Sequence, residues 1–174
     1  LSAHFRPCLT DDDYVQFTRF FIENRLDFSQ SFSLNDTLLH ILQTLQDSRI
    51  ILVVSNQDQV VGWGHYQYLG ADEEPDSQGE IAFINSVILA KAYRRHSLLF
   101  LRGLRYLTKQ IYKENPAVKQ VRFHALSENA YLNRLYAKFT RVIGEREGDH
   151  GHEHIYATSL EELMAYLSIS KDVR

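Results

Sequence analysis

Residues 80–115 read EIAFINSVILAKAYRRHSLLFLRGLRYLTKQIYKEN, and this stretch decides the fold. Residues 81–90 are nearly all apolar and β-branched, which predicts a buried strand. Further on, Phe100, Leu104, Leu107 and Ile111 recur at helical spacing, while Arg102, Arg105, Lys109 and Lys113 take the opposite side. A second apolar run over residues 118–126 predicts another strand. Strand, helix and strand in this order make a β-α-β unit with a parallel strand pair and a right-handed crossover.

The junction between the first strand and the helix, Ala92-Tyr93-Arg94-Arg95-His96-Ser97, is the natural place for chemistry. A helix N-terminus carries unpaired N–H groups and a partial positive charge. Arg94 and Arg95 repel that charge unless an anion docks there, in which case N–H groups and guanidinium forks converge on it. The plainer reading is a pair of solvated arginines on a loop.

A chain of 174 residues suits one α/β domain over residues 1–174 and is short for two. A formal net charge of −3 argues against general nucleic-acid binding, which relies on a basic surface. Cys8 is the single cysteine, so no intramolecular disulfide can form and a reducing, cytoplasmic setting is expected. No apolar run approaches the ~18 residues of a membrane helix, and no signal-peptide pattern opens the chain, so no membrane partner is expected.

Working outward, residues 4–9 predict a short strand, and Thr10-Asp11-Asp12-Asp13 offers a cap for a helix carrying Tyr14, Phe17, Phe20 and Phe21. Residues 24–32 are expected to form a loop. Ser33 and Asp36 resemble a capping pair for a second helix. Residues 50–54 and 60–69 predict a hairpin, in which Gly62 and Gly64 permit close approach by another backbone or a ligand. Residues 70–79 form an acidic loop, the expected mobile segment. Ser127 is expected to cap a helix bearing Leu132, Leu135, Tyr136 and Phe139. Residues 142–147 and 154–158 predict two strands, and Ser159 starts a last short helix. His150, His152 and His154 alternate and would share a face on a strand, where they could hold a transition metal. Gly148 and Gly151 instead suggest a hairpin tip where the histidines diverge, and no metal is expected.

The element order β-α-α-β-β-β-α-β-α-β-β-α, from Phe5 to about Thr158, resembles the GCN5-related N-acetyltransferase (GNAT) family. Val87-Ile88-Leu89-Ala90-Lys91-Ala92-Tyr93-Arg94-Arg95 looks like that family's fourth strand and its exit into the pyrophosphate loop. Asn129-Ala130-Tyr131-Leu132-Asn133-Arg134-Leu135-Tyr136-Ala137-Lys138 looks like its Asn-x-x-Ala-x-x-Leu-Tyr-x-Lys helix, with Leu132 in the alanine place. Two departures stand out: Ser97 and Leu99 occupy places where the loop has glycine or alanine, and Thr140-Arg141 replaces the usual Gly-Phe.

The resemblance implies an α/β (α+β) fold with a mixed sheet of about seven strands and helices on both faces. It implies acetyl transfer from acetyl-CoA to a small-molecule or peptide amine by direct attack, with a homodimer through exposed strand edges open. Val87, Ile88 and Leu89 would face the pantetheine arm, and Arg94, Arg95, His96, Ser97, Leu98 and Leu99 the pyrophosphate. Asn129 would bond the pantetheine or fix its helix start. Tyr136 would be the general acid for the leaving thiolate, since a phenol of ordinary pKa near 10 is protonated at neutral pH. The base would be Glu80 or a water ordered by Asn85, with His65 and His124 as alternatives. Taken alone, Asn85 reads as a satisfied buried amide and Tyr136 as a core aromatic. A binding module without catalysis is the alternative function.

Overall fold

The computed structural model describes residues 2–28, 32–94, 97–148 and 151–170. The elements follow the expected order: β1 (Ala3–Pro7), α1 (Asp11–Phe28), α2 (Leu34–Asp47), β2 (Arg49–Ser55), β3 (Val60–Leu69), β4 (Ile81–Leu89), α3 (Ser97–Glu114), β5 (Gln120–Leu126), α4 (Ala130–Tyr136), β6 (Arg141–Gly148), β7 (Gly151–Ser159) and α5 (Leu160–Tyr166). The seven strands form one mixed sheet in the order β1-β2-β3-β4-β5-β7-β6. β4 and β5 are parallel, as the crossover requires, and β7 lies between β5 and β6, antiparallel to both. The chain divides into two compact units, Leu1–Tyr66 with Ser86–Leu104 and Gln67–Asn85 with Arg105–Arg174.

In the first unit, Trp63 is fully buried and meets Phe17 and Phe21 edge-on at 5.0 and 5.1 Å between ring centroids. Residues of α1, α2 and β2 complete this apolar cluster, with Cys8 inside it. Burial pushes the Cys8 thiol up to about 11, against a smaller opposing effect of the Arg6 charge. Asp13 anchors the start of α1: its carboxylate pairs with Arg6 and accepts from the backbone of Leu9 and Thr10, while Thr10 Oγ1 accepts from Asp13 N. α1 runs on to Phe28, so the loop expected from residue 24 begins later. Asn24 and Arg25 are half-buried and donate from their side chains to Phe20 O and Ile22 O, and Leu26 and Asp27 are exposed, so the polar residues here continue the helix rather than break it. Ser33 and Asp36 form the expected capping box of α2.

The second unit is built around aromatic packing of Phe123, Tyr136, Phe139 and Tyr156. Its acidic loop is a set of turns, with Gly70 N bonded to Glu74 O, Asp76 N to Tyr68 O and Asp76 Oδ1 accepting from Gln78 N. Arg122 reaches Glu73 of this loop at 2.6 Å. The cap of α4 is Asn129, whose side chain accepts from Leu132 N; the expected cap, Ser127, instead donates its backbone N–H to His152 O. Ser159 and Glu162 form a full capping box on α5.

Candidate functional site

The first unit carries the residues expected to face an anionic ligand. Gly62 of β3 lies so close to β4 that a Cβ there would sit 2.5 Å from Ile88 O, so the close approach anticipated from the glycines is to a backbone. Ile88 is buried and Val87 is 43% exposed. A 3-10 turn over Lys91–Tyr93 follows β4. Arg94 folds back over this turn: Nε donates to Leu89 O at 2.7 Å, and Nη2 pairs with Asp27 at 3.2 Å. Arg95 and His96 lie outside the described residues. Ser97 opens α3, Leu98 is 72% exposed, and Leu99 is 5% exposed, packed with Ala3 and Val53 and flanked by Leu89 and Tyr93. The bulk of Leu99 is therefore taken up by the core, and the N–H groups of the first helical turn have no partners within the helix.

The second unit holds a polar cluster built from four strands, β4, β5, β6 and β7. The parallel ladder between β4 and β5 covers Ile81–Ile84 and Gln120–Phe123, then stops, although both strands continue. Just beyond the last paired residues, His124 Nε2 meets the Asn85 carbonyl. His124 Nδ1 lies 3.1 Å from Glu153, and Arg146 Nε donates to the same carboxylate oxygen at 2.8 Å. Phe83 stacks on His124, and the Arg146 guanidinium lies 5.4 Å above the Phe83 ring. Burial works to raise the Glu153 carboxyl, but the Arg146 hydrogen bond and the charges of His124 and Arg146 overcome it, so the net shift is downward. Gly148 makes room for this carboxylate, since a Cβ there would lie 2.6 Å from Glu153 Cδ. A cavity of about 470 Å³ opens beside the cluster, bordered by Phe83, Asn85, Arg122 and Arg146.

The other expected residues separate. Tyr136, 6% exposed, packs on Phe123 and Tyr156; burial pushes its phenol up, and Tyr156 adds to the shift. Asn129 serves the helix start, as described above. Glu80 directly precedes β4, five residues before Asn85 and about 16 Å from it along an extended strand, with its carboxylate 2.6 Å from Lys119 Nζ. That ion pair and that distance remove Glu80 from the cluster. His65, on β3, is buried with Nδ1 3.0 Å from Ser48 Oγ, a structural role. Glu153 and Arg146 escaped sequence reasoning because only cross-strand register brings them to His124. His150 lies outside the described residues, but the expected divergence of the histidines does not occur for the other two: β7 begins at Gly151, and His152 and His154 share one face.

No protein-family model matches the sequence, and no curated protein sequence matches it. Solved structures do resemble it. A GNAT-family acetyltransferase from Listeria monocytogenes aligns over 91% of this chain and 95% of its own, at 16% identity and a TM-score of 0.64. An aminoglycoside acetyltransferase in complex with coenzyme A aligns over 94% and 98%, at 15% identity and a TM-score of 0.68. The ribosomal-protein-S5-alanine acetyltransferase of Vibrio fischeri aligns over 91% and 93%, at 12% identity and a TM-score of 0.65. With its strand order and its parting β4 and β5, the chain has the fold of the GNAT acetyltransferases.

Proposed function

We propose that the protein is an acetyl-CoA-dependent N-acetyltransferase acting on a small-molecule or peptide amine. The parting of β4 from β5 after Ile84 and Phe123 carries this reading, in a fold shared with an acetyltransferase that binds coenzyme A. The first unit fits the donor. Leu99 is withdrawn into the core, so the start of α3 can offer backbone N–H groups to a pyrophosphate, with Arg94 beside it. Arg95, His96, Ser97 and Leu98 belong to the same proposed loop, and Val87, Ile88 and Leu89 to the pantetheine strand. Acetyl-CoA, when bound, supplies a thioester carbonyl open to attack by a neutral amine and a thiolate to be protonated.

The chain's own groups then divide the proton work. Tyr136 holds a proton at its phenol oxygen, and the upward shift keeps it there at neutral pH. His124 has both ring nitrogens engaged, so it positions the Asn85 carbonyl rather than acting as a base. Asn85 borders the cavity, where a water on its amide would take the amine's proton. The buried single cysteine supports a cytoplasmic, reducing setting. The edge strand β6 is exposed over most of its length and supports a homodimer, which would sediment at twice the chain mass.

The test is release of free thiol from acetyl-CoA against a panel of amines, for wild type and Tyr136→Phe. Amine-dependent release that falls in the variant supports the enzyme. Coenzyme A binding with no release from any amine supports the non-catalytic module instead.

A further inference from the structure

We propose that Glu145, His152 and His154 form a binding site for a divalent transition-metal ion of the zinc type on the outer face of the β6–β7 hairpin. The register carries the proposal. His152 and His154 stand two residues apart on β7, and the partners of His154 and His152 across the ladder are Glu145 and Glu147. All four side chains therefore rise from the same face. Glu145 Oε2 lies 3.1 Å from His152 Nε2, and its other oxygen 3.5 Å from His154 Nε2. One donor atom from each of the three residues falls within 4.8 Å of the others.

The two Glu145–histidine spacings are close to those a metal sets. Zinc bonded at about 2.0–2.2 Å in a tetrahedron sets its ligands roughly 3.3–3.5 Å apart. Two imidazoles and one carboxylate match the nitrogen–oxygen donor sets of zinc and its neighbours, whereas calcium and magnesium take oxygen ligands. Three protein ligands leave a fourth position for water. Glu147 adds an independent feature: its carboxylate lies 2.9 Å from His152 Nδ1, the nitrogen away from the proposed metal. A carboxylate on the far nitrogen holds a ligating histidine in the tautomer and orientation that metals require. The Arg146–Glu153 pair on the opposite face, together with the β5–β7 ladder, holds β7 in place. The side chains of His152, His154 and Glu145 are 42%, 28% and 57% exposed, so an ion can enter directly.

The test uses the full chain, free of metal and of any histidine tag. Zinc chloride is titrated calorimetrically, and cobalt(II) is added separately to read its visible absorption. A single equivalent should bind, and cobalt should show the intense bands of a tetrahedral site. His154→Gln should abolish binding. Glu147→Gln should weaken it by about tenfold or more without removing it. The altered residues are on the surface, and circular dichroism checks that each variant is folded. Absence of both heat and cobalt bands in wild type overturns the proposal, as does stoichiometric binding that survives His154→Gln.

Discussion

Replacing Leu99 with alanine distinguishes a core residue from a plug in the proposed donor site. Leu99 is 5% exposed and packed against Ala3 and Val53. Truncation removes three buried carbons, about 2.4 kcal/mol of transfer free energy at roughly 0.8 per methylene. The cavity left behind raises the cost to about 3 kcal/mol, within the usual range of roughly 2–5. In a chain of this length that is a fall of about 6–12 °C in Tm. Trp63 is the single tryptophan and is fully buried in the same unit, so its fluorescence reports the loss directly. Coenzyme A affinity, measured calorimetrically, should be unchanged when compared at a temperature where the variant is folded. A variant with near-normal stability and tighter coenzyme A binding would refute the reasoning, since Leu99 would then have been obstructing the ligand.

Other outcomes follow from the same geometry. Gly148→Ala places a methyl 2.8 Å from both oxygens of Glu153, a carboxylate too buried and too well held by Arg146 and His124 to swing away freely. Its urea midpoint should fall by the equivalent of about 1–3 kcal/mol, and an unchanged midpoint would contradict the packing. Tyr136→Phe should lower kcat by roughly 10²–10⁴ with coenzyme A affinity retained. Because the folded phenol is shifted upward, its proton-donating form persists as pH rises past the ordinary tyrosine value of about 10, so the wild-type pH–rate profile should show no alkaline loss from this group below that value. An alkaline limb that disappears in the phenylalanine variant would count against it. Cys8, with its thiol pushed up to about 11, should react with thiol reagents far more slowly in the native chain than in urea at mildly alkaline pH. Equal rates would show that it is not buried.

Local signals in the sequence carried most of the fold. The capping box at Ser33 could be read because its partner, Asp36, stands three residues away, and Ser159 could be read as the start of the last helix, where the structure adds the box with Glu162. Gly62 announced close approach, though only the structure identifies β4 as the neighbour. Ser127 and Asn129 are both good caps two residues apart, and composition could not choose between them; Asn129 is selected by where β5 ends. The polar cluster at His124 was illegible for a different reason. Its members come from β4, β5, β6 and β7, and the insertion of β7 between β5 and β6 decides which side chains meet. The same register sets His152 and His154 opposite Glu147 and Glu145 across the ladder, a pairing that the alternation of histidines in the sequence does not reveal.

The most direct measurement of the central claim is thermal stability with and without acetyl-CoA, for wild type beside Arg94→Ala. The Arg94–Asp27 pair is partly exposed on both sides, so the substitution alone should change stability by no more than about 1 kcal/mol. At about 100 times its dissociation constant, a ligand specific for the folded state adds roughly 2.7 kcal/mol. The account predicts a clear upward shift in wild type that is reduced or lost in the variant. No shift in wild type at millimolar acetyl-CoA would contradict the donor site and leave the fold without the activity.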